Sequence, residues 1–224
     1  MCLVLFTCIC AGAPAVAADE WLFGQTDDFD IASNASSKRT QYLVRELELV
    51  RTVFHSLNPG YLDLPSSRLQ VIICKGSGTM DRMMPLYQGK PKQLGGLFSS
   101  DEQGWFICIN GRGSLKYSRR IAYHEYVHYL MDLQDQKLPA WMSEGVAELF
   151  STVEIGSGKQ VMVGRAPLGN LARLRKSPMI PLERLFAVSY DSPEYNSERH
   201  GQGQFYAQSW ALVHYLLFGD DGLP

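Results

Sequence analysis

Residues 28–32, Asp-Phe-Asp-Ile-Ala, alternate polar and apolar with the period of two that a half-buried strand requires. Serines 36 and 37 then offer an N-cap, and Leu43, Leu47, Val50, Phe54 and Leu57 recur at steps of four, three, four and three. Those steps put five apolar side chains on one helical face. Asn58-Pro59-Gly60 stops that helix, and strand-like runs follow at 69–74 and 104–109, separated by a stretch rich in Gly, Lys and Pro around 88–96. From Ser118 the pattern turns mainly helical. One helix is predicted at about 119–134, and a second is entered through Leu138-Pro139, since proline suits a first helical turn. A less regular stretch at 155–203 holds a short helix near 181–188, and a last helix at about 204–218 is apolar almost all round and is expected to be buried. Strands and one helix first, helices afterwards, predict an α+β fold in which a small mixed sheet precedes a mainly helical half. No internal repeat or interdomain linker interrupts it.

The 224 residues are 46% hydrophobic and 20% charged, enough apolar content to bury a full core and well away from disordered or coiled-coil composition. A net charge of −2 offers no basic field for a nucleic acid, which removes that class of partner. The apolar run at 2–11, the Gly-Ala-Pro after it and the small-residue pattern Ala15-Val16-Ala17 read as a signal peptide over residues 1–17, leaving 18–224 as the working domain. The usual basic opening is missing, because the first basic residue is Lys38, so an earlier start is expected. A buried first strand is the alternative, disfavoured by the Gly-Ala-Pro that follows. No later run reaches the roughly 18 apolar residues of a membrane span. The expectation is an exported protein, periplasmic or extracellular, with no stable membrane anchor in the mature chain. The ending Gly-Asp-Asp-Gly-Leu-Pro reads as a helix stop and loop, as in a chain truncated from a longer one.

Cys2, Cys8 and Cys10 leave with the signal, so Cys74 and Cys108 remain, each in an apolar strand-like run. A bridge in an oxidising compartment and two buried free thiols both fit. Neither belongs to a Cys-x-x-Cys unit, so a cysteine metal site is not supported.

The chemistry concentrates in His124-Glu125-Tyr126-Val127-His128. On a helix the two histidines leave one face about one turn apart and can close on a single zinc ion, while Glu125 projects beside them with the reach of a general base toward water on the metal. A catalytic zinc takes three protein ligands and keeps its fourth position open, so a third ligand is needed. Glu144 and Glu148 follow in Trp141-Met142-Ser143-Glu144-Gly145-Val146-Ala147-Glu148, one turn apart on one face. One can ligate the metal while the other accepts the free ring N–H of a ligating histidine. Gly145 inside that helix costs about 1 kcal/mol relative to Ala, which implies close packing or a functional reason.

His-Glu-x-x-His followed by Leu-Pro-x-Trp-x-x-Glu-Gly-x-Ala-Glu resembles the gluzincin metallopeptidases, most closely the bacterial peptidase-MA-like domains of unknown function. The resemblance covers roughly residues 28–217 and is specific over 124–148. It implies a zincin-like fold, one Zn2+ and a peptide or protein substrate. The glutamate before glycine is the third ligand in such proteins, which implies Glu144, with Glu148 in the supporting role. The longer spacing of the thermolysin branch would select Glu148 and reverse the two. The metzincin pattern is excluded, because its third histidine and its glycine would fall at Gln134 and Met131. In the aminopeptidase branch a tyrosine on a later helix steadies the oxyanion, which implies Tyr206; a tyrosine buried as core is the competing reading, and His214, two turns on, reads as core. The strand before the motif helix borders the cleft in gluzincins, so residues 105–109 are expected to form a sheet edge.

The sequence therefore predicts a zinc metallopeptidase. A non-catalytic scaffold of the same fold and a zinc hydrolase of a non-peptide, cell-wall-type amide are the alternatives. The oligomeric state has no signal in the sequence.

Overall fold

A computed structural model describes residues 4–7, 20–57, 67–102, 104–134, 137–156, 160–196 and 202–219. Contacts divide the chain into two compact units, Met1–Tyr129 and Leu130–Pro224.

The first unit is built on a six-stranded sheet of order β1-β2-β3-β4-β8-β7. The outer strands β1 (Val4–Thr7), β2 (Leu22–Gln25) and β3 (Phe29–Ser33) pair antiparallel in sequence order. Apart from Val4–Thr7, the predicted signal segment and its cleavage site lie outside the described residues. Strand β4 (Leu69–Cys74) lies parallel to β3 and to β8 (Gly104–Asn110), and β7 (Gly96–Asp101) closes the far side antiparallel to β8. A parallel pair cannot be joined by a tight turn, and helix α1 (Ser37–Leu57) supplies the β3-to-β4 crossover. The predicted N-cap is present, with Ser36 Oγ accepting from the Arg39 N–H at 3.4 Å.

Apolar residues dominate the strands at the centre of the sheet. Leu69, Val71, Ile73, Ile107, Cys108 and Ile109 are wholly shielded, and Leu43, Leu47, Val50 and Phe54 of the predicted α1 face are buried. Each such side chain contributes about 1.5–3 kcal/mol by leaving water. Cys74 and Cys108 are free, buried thiols with sulfurs 3.6 Å apart, and Met80 Sδ of the short helix α2 (Ser77–Met80) lies 3.4 Å from Cys108. A small hairpin, β5 (Leu86–Tyr87) and β6 (Lys90–Pro91), turns through Gln88 and Gly89, both at positive φ, within the Gly/Lys/Pro-rich stretch. Strand β8 is not the predicted edge: it pairs on both sides, and β7 takes that place. Alternation within 96–101 is broken by Gly96 and by Ser99-Ser100-Asp101, which hid this strand from a pattern reading.

Helix α3 (Leu115–Asp132) starts four residues before its prediction and buries Ala122, Tyr123, Tyr126 and Val127. The Tyr126 ring meets Phe29 edge-on at 6.0 Å, and the Tyr123 hydroxyl donates to Glu46 Oε2 on α1 at 2.5 Å. Burial, with Glu46 beside it, raises the Tyr123 pKa and keeps that phenol a donor.

The second unit is mainly helical: α4 (Ala140–Phe150), a hairpin of β9 (Glu154–Ile155) and β10 (Val161–Met162), then α5 (Leu168–Lys176), α6 (Leu182–Ala187), α7 (Pro193–Asn196) and α8 (Gln202–Phe218). Pro139 sits one position before α4, its carbonyl accepting from the Met142 and Ser143 N–H groups. Pro181 likewise starts α6, as predicted, whereas α5 and α7 were hidden in the irregular stretch. Helix α8 is not buried throughout. Phe205, Ala207, Ser209, Trp210 and Val213 are covered, but Tyr215, Leu216, Leu217 and Phe218 of the last turn stand 43–61% exposed. Among the described residues no helix is long and apolar enough to cross a membrane.

Gly145 marks where α4 and α8 touch. A Cβ there would lie 2.5 Å from Ser209 O and 2.5 Å from Val213 Cγ2, so the glycine serves close backbone packing. Gly145→Ala is expected to lower stability by about 1–3 kcal/mol through overpacking, despite its better helix propensity, as measured by denaturant unfolding. A stabilised variant would show that α8 yields at no cost.

Candidate metal centre

A four-residue step on an α-helix turns about 400°, so His124 and His128 leave α3 on nearly the same bearing. Both are half-buried, opposite the face that packs Ala122 and Tyr126 into the core. Their rings stand 4.8 Å apart at 73°, with the two Nε2 atoms separated by 3.1 Å. Two bonds of zinc–imidazole length at near-tetrahedral angles would put the nitrogens about 3.3 Å apart, so the pair fits one ion without rearrangement.

Glu125 is 9% exposed. Beside it runs the start of β7, and it can do so because residue 96 lacks a side chain: a Cβ on Gly96 would lie 2.5 Å from Glu125 Oε1 and 2.6 Å from its Cγ. Gly95 is as constrained, with Ile121 Cδ1 2.7 Å from the position a Cβ would take. The Gly95-Gly96 pair thus lets an edge-strand backbone lie directly against the α3 face that carries the glutamate.

On α4 the carboxylate of Glu144 is 1% exposed and accepts from the Tyr195 hydroxyl at 2.7 Å. Burying a carboxylate costs several kcal/mol unless donors or a cation compensate it, and the Tyr195 hydroxyl is one such donor. Glu148, one turn on, takes a 3.0 Å hydrogen bond from Asn170 Nδ2 of α5. One ligand atom from each of His124, His128 and Glu144 can be chosen so that all three lie within 4.8 Å of one another. Two imidazoles and a carboxylate form a donor set suited to a divalent transition metal, zinc among them.

Tyr206, at the start of α8, packs its ring against Tyr195 at 6.1 Å and Phe205 at 5.8 Å. His214 sits against Trp210 and Phe218, each at 5.2 Å, and is half-buried rather than in the core expected for it. Tyr195 is the residue that the sequence did not announce. It lies on a four-residue helix, 51 positions after its partner, with no spacing motif to flag it. Burial and then the charge of Glu144 raise its pKa, which keeps the phenol protonated.

Residues 121–221 match the model of a family described as a protein of unknown function (DUF1570). The matched segment begins three residues before His124 and contains His128, Glu144, Glu148, Tyr195 and Tyr206 as well as Glu125. No curated protein matches the chain.

Gly96→Ala is expected to destabilise the protein by about 1–3 kcal/mol, because Glu125 and Ile121 must give way. A double-mutant cycle with Glu125→Ala checks the cause: the double variant should recover part of the loss. Strict additivity would mean that Gly96 does not make room for Glu125.

Proposed function

We propose that the chain is a zinc-dependent metallopeptidase of the gluzincin type, exported to the periplasm or the exterior, that hydrolyses peptide bonds. The observation that carries this reading is the convergence of His124, His128 and Glu144 on one small volume, with ligand atoms within 4.8 Å, beside a shielded glutamate of the His-Glu-x-x-His motif. One zinc ion, held by those three side chains, would supply Lewis acidity toward a carbonyl oxygen and toward water.

The protein's own groups divide the remaining work. Glu125 takes a proton from the attacking water and returns it to the departing amine, and two neighbours, Ile121 and the Gly96 backbone, limit where its carboxylate can sit. Tyr206 donates to the oxyanion of the tetrahedral intermediate. Glu148 accepts a ring N–H from a ligating histidine and so fixes its tautomer, with Asn170 steadying the carboxylate from the other side. Strand β7 ends the sheet order among the described residues, and an extended peptide can add beside it as a further strand. Binding a substrate by its backbone would leave side-chain preference to the surrounding loops.

Metal analysis by mass spectrometry on the purified chain should find about one zinc per molecule, lost in Glu144→Ala. Equal zinc in both proteins would transfer the ligand role to Glu148, and a wild-type protein that takes up no metal would end the enzyme reading. Glu125→Gln should retain zinc while cutting cleavage of an unfolded casein substrate by about 10²–10⁴-fold. Undiminished cleavage would remove Glu125 from the mechanism.

A further inference from the structure

The carboxylate of Glu144 does not stand alone in the second unit. Its Oε1 is 2.7 Å from the Tyr195 hydroxyl, and Tyr195 is itself held on several sides. Gln202 Nε2 donates to the Tyr195 carbonyl at 2.7 Å, and Glu194, the preceding residue, is bound by Arg184 Nε at 2.6 Å. The Tyr195 ring packs edge-on against Tyr190 at 5.1 Å and Phe205 at 6.1 Å, and tilted against Tyr206 at 6.1 Å. A phenol with so many constraints on its ring and backbone presents its hydroxyl in one place, which is the property a group needs in order to orient a partner.

A phenol has one proton, and an ionised carboxylate can only accept, so the Tyr195 proton is committed to Glu144.

We infer that Tyr195 is a positioning residue for the metal: its hydroxyl commits one oxygen of Glu144 and orients the carboxylate as a one-oxygen ligand. This rests on the proposed role of Glu144 as a ligand. It assigns a function to a residue outside the His-Glu-x-x-His and Trp-x-x-Glu-Gly segments.

The test compares zinc affinity, by competition with a chromophoric chelator at fixed pH, in wild type, Tyr195→Phe, Tyr206→Phe and Glu144→Ala. The visible spectra of the cobalt-substituted proteins report ligand geometry, and the melting temperature of each metal-free protein, with its rise on adding zinc, separates lost metal binding from lost folding. Phenylalanine keeps the ring packing and removes only the hydroxyl. Tyr195→Phe is expected to weaken zinc binding by about 10–100-fold and to alter the cobalt spectrum, with a smaller zinc-induced rise in melting temperature. Tyr206→Phe, which leaves the Tyr195–Glu144 hydrogen bond in place, should stay within about threefold of wild type. Equal zinc affinity and an unchanged cobalt spectrum in Tyr195→Phe would overturn the inference, as would an equal loss in both phenylalanine variants, which would leave the Tyr195 hydroxyl no role of its own. If wild type binds zinc through Glu144 and Tyr195→Phe binds it as well, the inference alone falls. A wild type that binds no zinc removes the proposed function along with it.

Discussion

Helix α3 has to satisfy two demands with one periodicity. Ala122, Tyr123, Tyr126 and Val127 must be buried against the sheet and α1, while His124 and His128 must stay on the face where water and a cation can reach them. Because 3.6 residues make a turn, histidines four apart share one bearing while Ala122 and Tyr126 fall on the opposite one. Glu125 then lies at the border of the two faces, shielded but not internal. The aromatic clamp of Tyr126 on Phe29 and the bond from Tyr123 to Glu46 fix the rotation of the helix about its axis. A small rotation would swing both imidazoles together, so the donor geometry depends on packing at the back of the helix as much as on the histidines.

How much of this was legible in the sequence follows from which interactions are local. The α1 face, the α4 start at Leu138-Pro139 and the α6 limits are governed by periodicity and proline, and they read directly from the chain. Gly145 announced close packing through its helix penalty alone, and the structure supplies the partner in Ser209. What did not read were features created by distant pairing. Strand β7 has no alternation to reveal it, and its antiparallel match with β8 moves the edge one strand further out than expected. The exposed last turn of α8 misled for a related reason: apolar content predicts burial only where another element is present to cover it.

The candidate site divides along the same line. His124, Glu125 and His128 form a local motif and were identifiable as such, and Glu144 and Glu148 were narrowed to a pair by helical spacing. Their surroundings in the fold differ. Glu144 is the more deeply buried and accepts from a phenol, while Glu148 is joined to Asn170. Tyr195 belongs to the class of residues that only a folded chain can reveal, since nothing in Pro193-Glu194-Tyr195-Asn196 hints at a carboxylate 51 residues earlier.

The glycine at 145 has one more consequence. An eleven-residue helix with glycine at its middle is too short and too weak to persist by itself in water. Helix α4 therefore takes its shape from the surface of α8, and the carboxylate of Glu144 acquires a fixed position only where that docking exists. Any disturbance that lifts α8 disperses the carboxylate, so metal binding through Glu144, as proposed, would be a measure of tertiary integrity in the helical half of the chain.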